Sequence, residues 1–177
     1  KTGAGTLFLT GTNTYTGATS VSAGVLSVPG TSALGGTSTL ITVANGGGLV
    51  LQGTAAFGTR SLSIAGSGNL SEGALRFMSG VNSAAGSVTM TADATLGVDA
   101  GATLNLTGTL AGGVVGLTKA GFGILNLTGT NTFTRSRDAQ SGSVGLVVNI
   151  PLFTGSTRGA KLRETLALED KSRNDLQ

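Results

Sequence analysis

Apolar and polar positions alternate with a period of two through most of residues 1–134. Leu7/Leu9, Leu62/Ile64, Val88/Met90, Leu96/Val98, Leu104/Leu106 and Leu125/Leu127 are each separated by Thr, Ser, Asn or another intervening residue. Successive side chains of a strand point to opposite faces, so this pattern lines one side with aliphatic groups and leaves hydroxyls and amides on the other. The runs are short and are divided by Gly, Asn and Ser turns. The pattern predicts strands over 6–10, 19–28 (two strands bent at Ala23-Gly24), 39–43, 48–51, 61–64, 74–77, 87–90, 95–98, 103–107 and 124–128. Short strands at regular spacing joined by turns are an all-β signal.

The pattern also repeats. KTGAGTLFLTGTNTYT, residues 1–16, returns as KAGFGILNLTGTNTFT, residues 119–134, with eleven of sixteen positions identical. The shared positions include the Lys, Gly3/Gly121, Gly5/Gly123, Leu7/Leu125, Leu9/Leu127, Gly11/Gly129 and Asn13/Asn131, while Tyr15 is matched by Phe133. Self-similar strand-and-turn units are the mark of a stacked array. One wet and one buried face fits either a sandwich or a solenoid. The solenoid is favoured because large aromatics are few and Gly recurs after almost every strand, as narrow corners require. The expected fold is mainly β: a right-handed parallel β-helix over residues 1–134, with aliphatic ladders inside and backbone bonds running along the axis.

The first copy, Gly3 to Gly17 followed by Thr19 to Val28, resembles the passenger-associated β-strand repeat of bacterial autotransporters. That family repeats G-x-G-x-L-x-L-x-G-x-N-x-Y/F-x-G and then a strand ending in A-G-x-L-x-V. The second copy begins well at Gly121 and departs after Thr134, where Arg135 replaces the expected Gly. The resemblance implies a right-handed parallel β-helix displayed on the cell surface or secreted, associated with the outer membrane. Its partners would be an outer-membrane translocator barrel, which is not in this chain, and a host or matrix surface.

Composition changes at Arg135. Of the net charge of +3, residues 135–177 hold seven basic and five acidic side chains. Residues 135–143 read as a polar linker, VGLVVNIPLF at 144–153 as a strand of transmembrane length, and about 157–176 as a helix with a Glu169/Arg173 pair. Residues 144–177 thus form an expected strand-plus-helix extension. Pro151, Leu152, Phe153 and Gly155, followed by Arg158, resemble the strand-to-helix junction P-L/I-F/Y-x-G-G of TolC-type outer-membrane channels, with Ser156 in place of the second Gly. This second resemblance implies a fragment of an efflux or type I secretion channel, with trimeric channel partners. Arg158, Lys161 and Arg163 would either meet lipid headgroups or form a solvated helix face.

Charge and chemistry narrow the function. No basic stripe interleaved with aromatics is present, which argues against nucleic-acid binding. No Cys occurs, which removes disulfide and thiolate chemistry and fits export of an unfolded chain. Lys1 is not an initiator Met, and the start reads as a cut or processed end. Without His, neither a Ser-His-Asp triad nor a His metal site can form. Many β-helices cleave carbohydrates, but that needs clustered carboxylates, and residues 1–134 offer only Glu72, Asp93 and Asp99, which read as turn residues. Gly46-Gly-Gly48 and Gly121-Phe-Gly123 lack the Lys and helix of a phosphate loop. Thr12/Thr14/Thr16 and Thr130/Thr132/Thr134 read as solvent-facing β positions, although they also suit flat hydroxyl ranks. Tyr15 and Phe133 are expected at equivalent coil corners. The expected function is a non-enzymatic surface stalk with a mechanical and adhesive role and no cofactor or metal. A channel fragment and a carbohydrate-active enzyme are the alternatives.

Overall fold

The computed structural model describes residues 1–36 and 40–133. Among the described residues fourteen strands are formed: β1 Thr6–Phe8, β2 Thr19–Val21, β3 Gly24–Val28, β4 Ile41–Val43, β5 Gly47–Leu51, β6 Leu62–Gly66, β7 Leu75–Phe77, β8 Val81–Ala84, β9 Val88–Val98, β10 Thr103–Leu106, β11 Leu110–Gly112, β12 Leu117–Ala120, β13 Ile124–Leu127 and β14 Asn131–Phe133. Every pairing between them is parallel. Together they wind a β-solenoid of about six coils with three faces.

The first face stacks β1, β3, β5, β7, the C-terminal half of β9 and β12. The second holds β8, β10 and β13, extended downward by the bridge between Ala56 and Ser83. The third stacks β2, β4, β6, the N-terminal half of β9, β11 and β14. Strand β9 turns a corner: Val88 to Met90 lies on the third face, Ala94 to Val98 on the first, and a register shift absorbs the bend.

Register turns the period-two pattern into interior ladders. Leu26, Leu49, Leu75 and Leu96 stack on the first face, as do Val28, Leu51, Phe77 and Val98. Ile41, Leu62, Val88 and Leu110 form the matching row on the third face, and Leu104 and Leu125 stack on the second. All of these are buried in one continuous core. Each buried Leu, Ile or Val contributes about 1.5–3 kcal/mol, but no coil closes a core alone, so the array is stable only as a stack.

Two features of this core were not read from the pattern. Phe57 and Phe77 pack edge to face, with ring centroids 6.2 Å apart. Asn82 takes the place of a Leu beneath Leu104 and is fully buried. Its amide is satisfied: Oδ1 accepts from Ala55 N at 2.8 Å, and Nδ2 donates to the carbonyls of Ser79, Gly80 and Thr103. A buried amide survives only when so paired.

The corners explain part of the glycine usage. Between the second and third faces, a Cβ on Gly108 would lie 2.1 Å from Gly86 O, and one on Gly129 would lie 2.0 Å from Gly108 O. Adjacent coils are strand-spaced here, and no side chain fits between them.

Several expectations need correction. Strands β8, β11, β12 and β14 were not anticipated, because each is three or four residues long and lacks a pair of alternating large aliphatics. The strands expected at 87–90 and 95–98 are one, β9. The linker at 135–143 and the strand and helix at 144–177, including Pro151, Leu152, Phe153, Gly155 and Arg158, lie outside the described residues.

Candidate functional site

The two repeat copies do not occupy the same part of the coil. In the first, Lys1 lies against β2 on the third face: its amino group donates to Ser20 O at 2.6 Å and its carbonyl accepts from Ser22 N at 2.8 Å. Leu7 then pairs with Leu26 on the first face. In the second copy, Lys119 pairs with Leu96 on the first face, Leu125 pairs with Leu104 on the second, and Asn131 pairs with Leu110 on the third. The copies are therefore offset by one face.

Their environments differ accordingly. Leu125 is fully buried and Leu127 nearly so, whereas Leu7 is 45% exposed and Leu9 only partly buried, which corrects the expectation that all four point into a closed core. Gly121 and Gly123 press against the preceding coil, where a Cβ would lie 2.3 Å from Val98 O and 2.3 Å from Asp99 O respectively. Gly3, Gly5 and Gly11 would meet nothing within 4 Å. Asn13 donates through Nδ2 to Gly11 O at 3.1 Å and Ala33 O at 2.8 Å. Tyr15 sits at the corner between the second and third faces, where its carbonyl accepts from Gly36 N and its hydroxyl meets Thr19 Oγ1 at 2.8 Å. Phe133 is instead a residue of β14, paired with Gly112, so the expected equivalence with Tyr15 does not hold. A depression of about 230 Å³ opens at this first coil, lined by Lys1, Leu7, Leu9, Tyr15, Ala18, Thr19, Ser20 and Leu26.

The third face presents a rank of which only part of one Thr triplet is a member. Register aligns the outward residues Ser20, Thr42, Ser63, Thr89, Ala111 and Thr132 across all six coils. Next to them, Ser61, Ser87, Thr109 and Thr130 follow one another, and Ser87 Oγ donates to Ser61 Oγ at 3.3 Å. Of the residues expected to form hydroxyl ranks, Thr130 and Thr132 belong here, whereas Thr12, Thr14 and Thr16 lie on the second face and its corner. The result is a flat, uncharged, hydrogen-bonding surface. Only register creates it, since its members are 21 to 26 residues apart.

The corner between the third and first faces is less regular. Asn45 and its neighbours turn it in three residues, but the coil between β6 and β7 inserts a loop at 67–73. Leu70 and Ser71 there have φ of 56° and 60°, a left-handed conformation that costs a non-Gly residue about 1–3 kcal/mol. The loop is closed by Gly73 N donating to Ser67 O at 2.9 Å, and Glu72 N donates to Asn69 O at 3.3 Å. Arg76 braces it from β7. Its Nε and Nη2 grip both oxygens of Asp99 at 3.1 and 2.8 Å, while Nη1 pairs with Glu72. The bidentate bond to Asp99, helped by the charges of both carboxylates, raises the Arg76 pKa despite partial burial. One coil on, Asp93 Oδ1 accepts from Gly116 N at 2.6 Å. Asp93 and Asp99 therefore hold backbone and guanidinium groups in place, as structural residues do.

Arg60 is a further residue that sequence reasoning missed. It is 3% exposed, and its guanidinium donates to Gly35 O at 2.7 Å and Thr31 O at 3.3 Å, pinning two coils at one corner. Burial pushes its pKa down, partly offset by nearby Tyr15. Nothing in the alternation around a lone Arg signals such a position.

Among the described residues, no group of three or more His, Cys, Asp or Glu side chains is placed to hold a metal ion. No described helix is long and apolar enough to cross a membrane. Surfaces, rather than an enclosed pocket with convergent groups, are what this arrangement offers.

Comparison with known proteins agrees with the repeat. Residues 1–28 and 117–136 match the Passenger-associated-transport-repeat family model. The chain is also similar to the Adhesin BmaC autotransporter of Brucella suis biovar 1 (strain 1330), with 42% identity over 137 residues, which is 76% of this chain and 4% of that protein. The chain thus spans a small fraction of the curated relative it resembles. No solved structure matches it.

Proposed function

We propose that this chain is a segment of the passenger stalk of an autotransporter adhesin, displayed outside the cell, non-enzymatic, and adhesive through its outer faces. The observation that carries this reading is the match of both repeat copies to a passenger-associated repeat, together with the stacking of their described strands in one solenoid. A stack in which each coil touches only its neighbours can be lengthened without redesign, which suits a spacer that holds adhesive surfaces away from a membrane. The winding is right-handed, as parallel crossover connections nearly always are and as the family resemblance implies. Its partners are an outer-membrane translocator barrel and a host or matrix surface. Neither comparison lends support to the channel reading of the tail, and the kinship of the repeat to passenger and adhesin sequences favours the non-enzymatic reading over the enzymatic one.

The test is to display the chain through a translocator barrel on a non-adherent bacterium. Adherence to host cells or matrix above that of the barrel alone is expected. Efficient display with no gain in adherence would remove the adhesive role.

A further inference from the structure

We infer that the open underside of the first coil is a docking surface for one more parallel β-coil of the same repeat class, joined to this chain through Lys1. The inference deepens the stalk part of the reading above and rests on it, not on adhesion. The second repeat copy shows what such a sequence is built to lie upon. Beneath Lys119–Phe133 runs the preceding coil. Ile124 N donates to Ala102 O and Thr128 N to Leu106 O, both at 3.0 Å, while Gly121, Gly123 and Gly129 press on the carbonyls of Val98, Asp99 and Gly108.

The first copy carries the same groups over an open edge. Strand β1 pairs only with β3, so the N–H groups of Thr6 and Thr10, which match those of Ile124 and Thr128, face away from the coil above them. Gly5, Gly11 and Gly17 would meet nothing within 4 Å, and none of them has the positive φ that calls for glycine by itself. Elsewhere a corner glycine meets the coil before it: Gly35 meets Tyr15, Gly47 meets Val21, Gly86 meets Arg60 and Gly108 meets Gly86. A glycine with neither a left-handed turn nor a close neighbour costs backbone entropy and gains nothing. A coil underneath gives the glycines of the first coil the same role as Gly123 and Gly129.

This end is not finished as a cap. A terminal repeat of a solenoid needs a polar outer face. Here Leu7 is 45% exposed, and the depression of about 230 Å³ is the mouth of the core, lined in part by Leu7, Leu9, Tyr15 and Leu26. Leu7 already stacks on Leu26, so a coil below would extend an existing ladder. Lys1 fixes where that coil comes from. Its amino group donates to Ser20 O and its carbonyl accepts from Ser22 N, the pattern of a parallel ladder opposite Val21. Lys1 therefore stands at the end of a third-face strand one coil down, just as Lys119 stands in β12. A second copy of the chain would have to displace it.

The test fuses residues 98–118, the coil that underlies the second copy, directly before Lys1 of the full chain. Amide exchange at Thr6 and Thr10 should slow roughly tenfold or more against the unfused chain, and a fusion with 98–118 scrambled should leave it unchanged. Gly5→Ala and Gly11→Ala should be near neutral in the unfused chain but lower the melting midpoint of the fusion by about 3 °C or more. Unchanged exchange in the fusion, equal slowing by the scrambled segment, or tolerance of alanine at both glycines in the fusion would each overturn the surface. Concentration-dependent dimers of the unfused chain, in which the same alanines are already harmful, would make the occupant a second copy and overturn the continuous coil. No step uses display or host cells, so failure here leaves the adherence result untouched, and the reverse.

Discussion

Lys1–Thr16 and Lys119–Phe133 are near-copies that fold alike locally and are used differently. In both, the Lys Nζ donates to the carbonyl two residues on, Gly3 O at 2.5 Å and Gly121 O at 2.6 Å. In both, that Gly has a positive φ, 79° and 77°. The shared sequence thus builds the same turn and the same following strand. Yet the strand lies on the first face in one copy and on the second face in the other. The reason is arithmetic. The copies are 118 residues apart, while successive coils take 19 to 26 residues, so the second copy arrives about a third of a coil out of phase. A local code that specifies a turn and a strand does not specify a face.

The contrast is sharpest in side-chain burial. Leu125→Ala should cost about 2–5 kcal/mol, because it empties a fully buried position between Leu104 and the core. Leu7→Ala, at the matching position of a half-open coil, should cost well under that, about 1 kcal/mol or less. Denaturant melts of the two variants measure the difference directly, and equal losses would mean that the faces are equivalent after all.

Glycine gives the next largest effect. Gly129→Ala forces a Cβ against Gly108 O and should destabilise by roughly 1–3 kcal/mol through overpacking. Gly11→Ala meets open space and should be near neutral, since exposed substitutions usually fall within about 0.5 kcal/mol. The same melts decide this pair. Hydrogen exchange extends the comparison without mutation: amides of 124–127, bonded to β10, should exchange more slowly than those of 6–8 in the half-open coil. Comparable protection in both would break the proposed difference.

The smallest effect concerns Lys119, whose pKa is pushed below the ordinary 10.5 by partial burial. A base with a depressed folded pKa binds its proton less readily folded than unfolded. Stability should therefore rise slightly as pH climbs from the lowered value toward 10.5, and Lys119→Met should flatten that rise. Chemical melts at several alkaline pH values would detect it, and an unchanged slope in the variant would assign the effect elsewhere.

Much of the architecture was legible in the chain itself. Alternation placed Leu62, Ile64, Val88, Met90, Leu96, Val98, Leu104, Leu106, Leu125 and Leu127 on the inner side, and the structure buries all of them. Gly-rich turns marked the corners, and the repeat announced a stack. The short polar strands were not legible. Val81–Ala84 carries an Asn where a ladder wants Leu, and only the neighbouring coils supply the partners that make a buried amide tolerable. The candidate surfaces were less visible still. The hydroxyl rank of the third face is assembled from residues on different coils, so no window of sequence contains it.

What the sequence determined alone was what nearest neighbours can fix: strand against turn, inside against outside, and the places where only glycine passes. What tertiary structure decided was which face each strand joins and which side chains meet across coils. That choice depends on the summed length of every intervening corner, and a loop of a few added residues at 67–73 shifts the phase of the sequence repeat against the faces for all that follows.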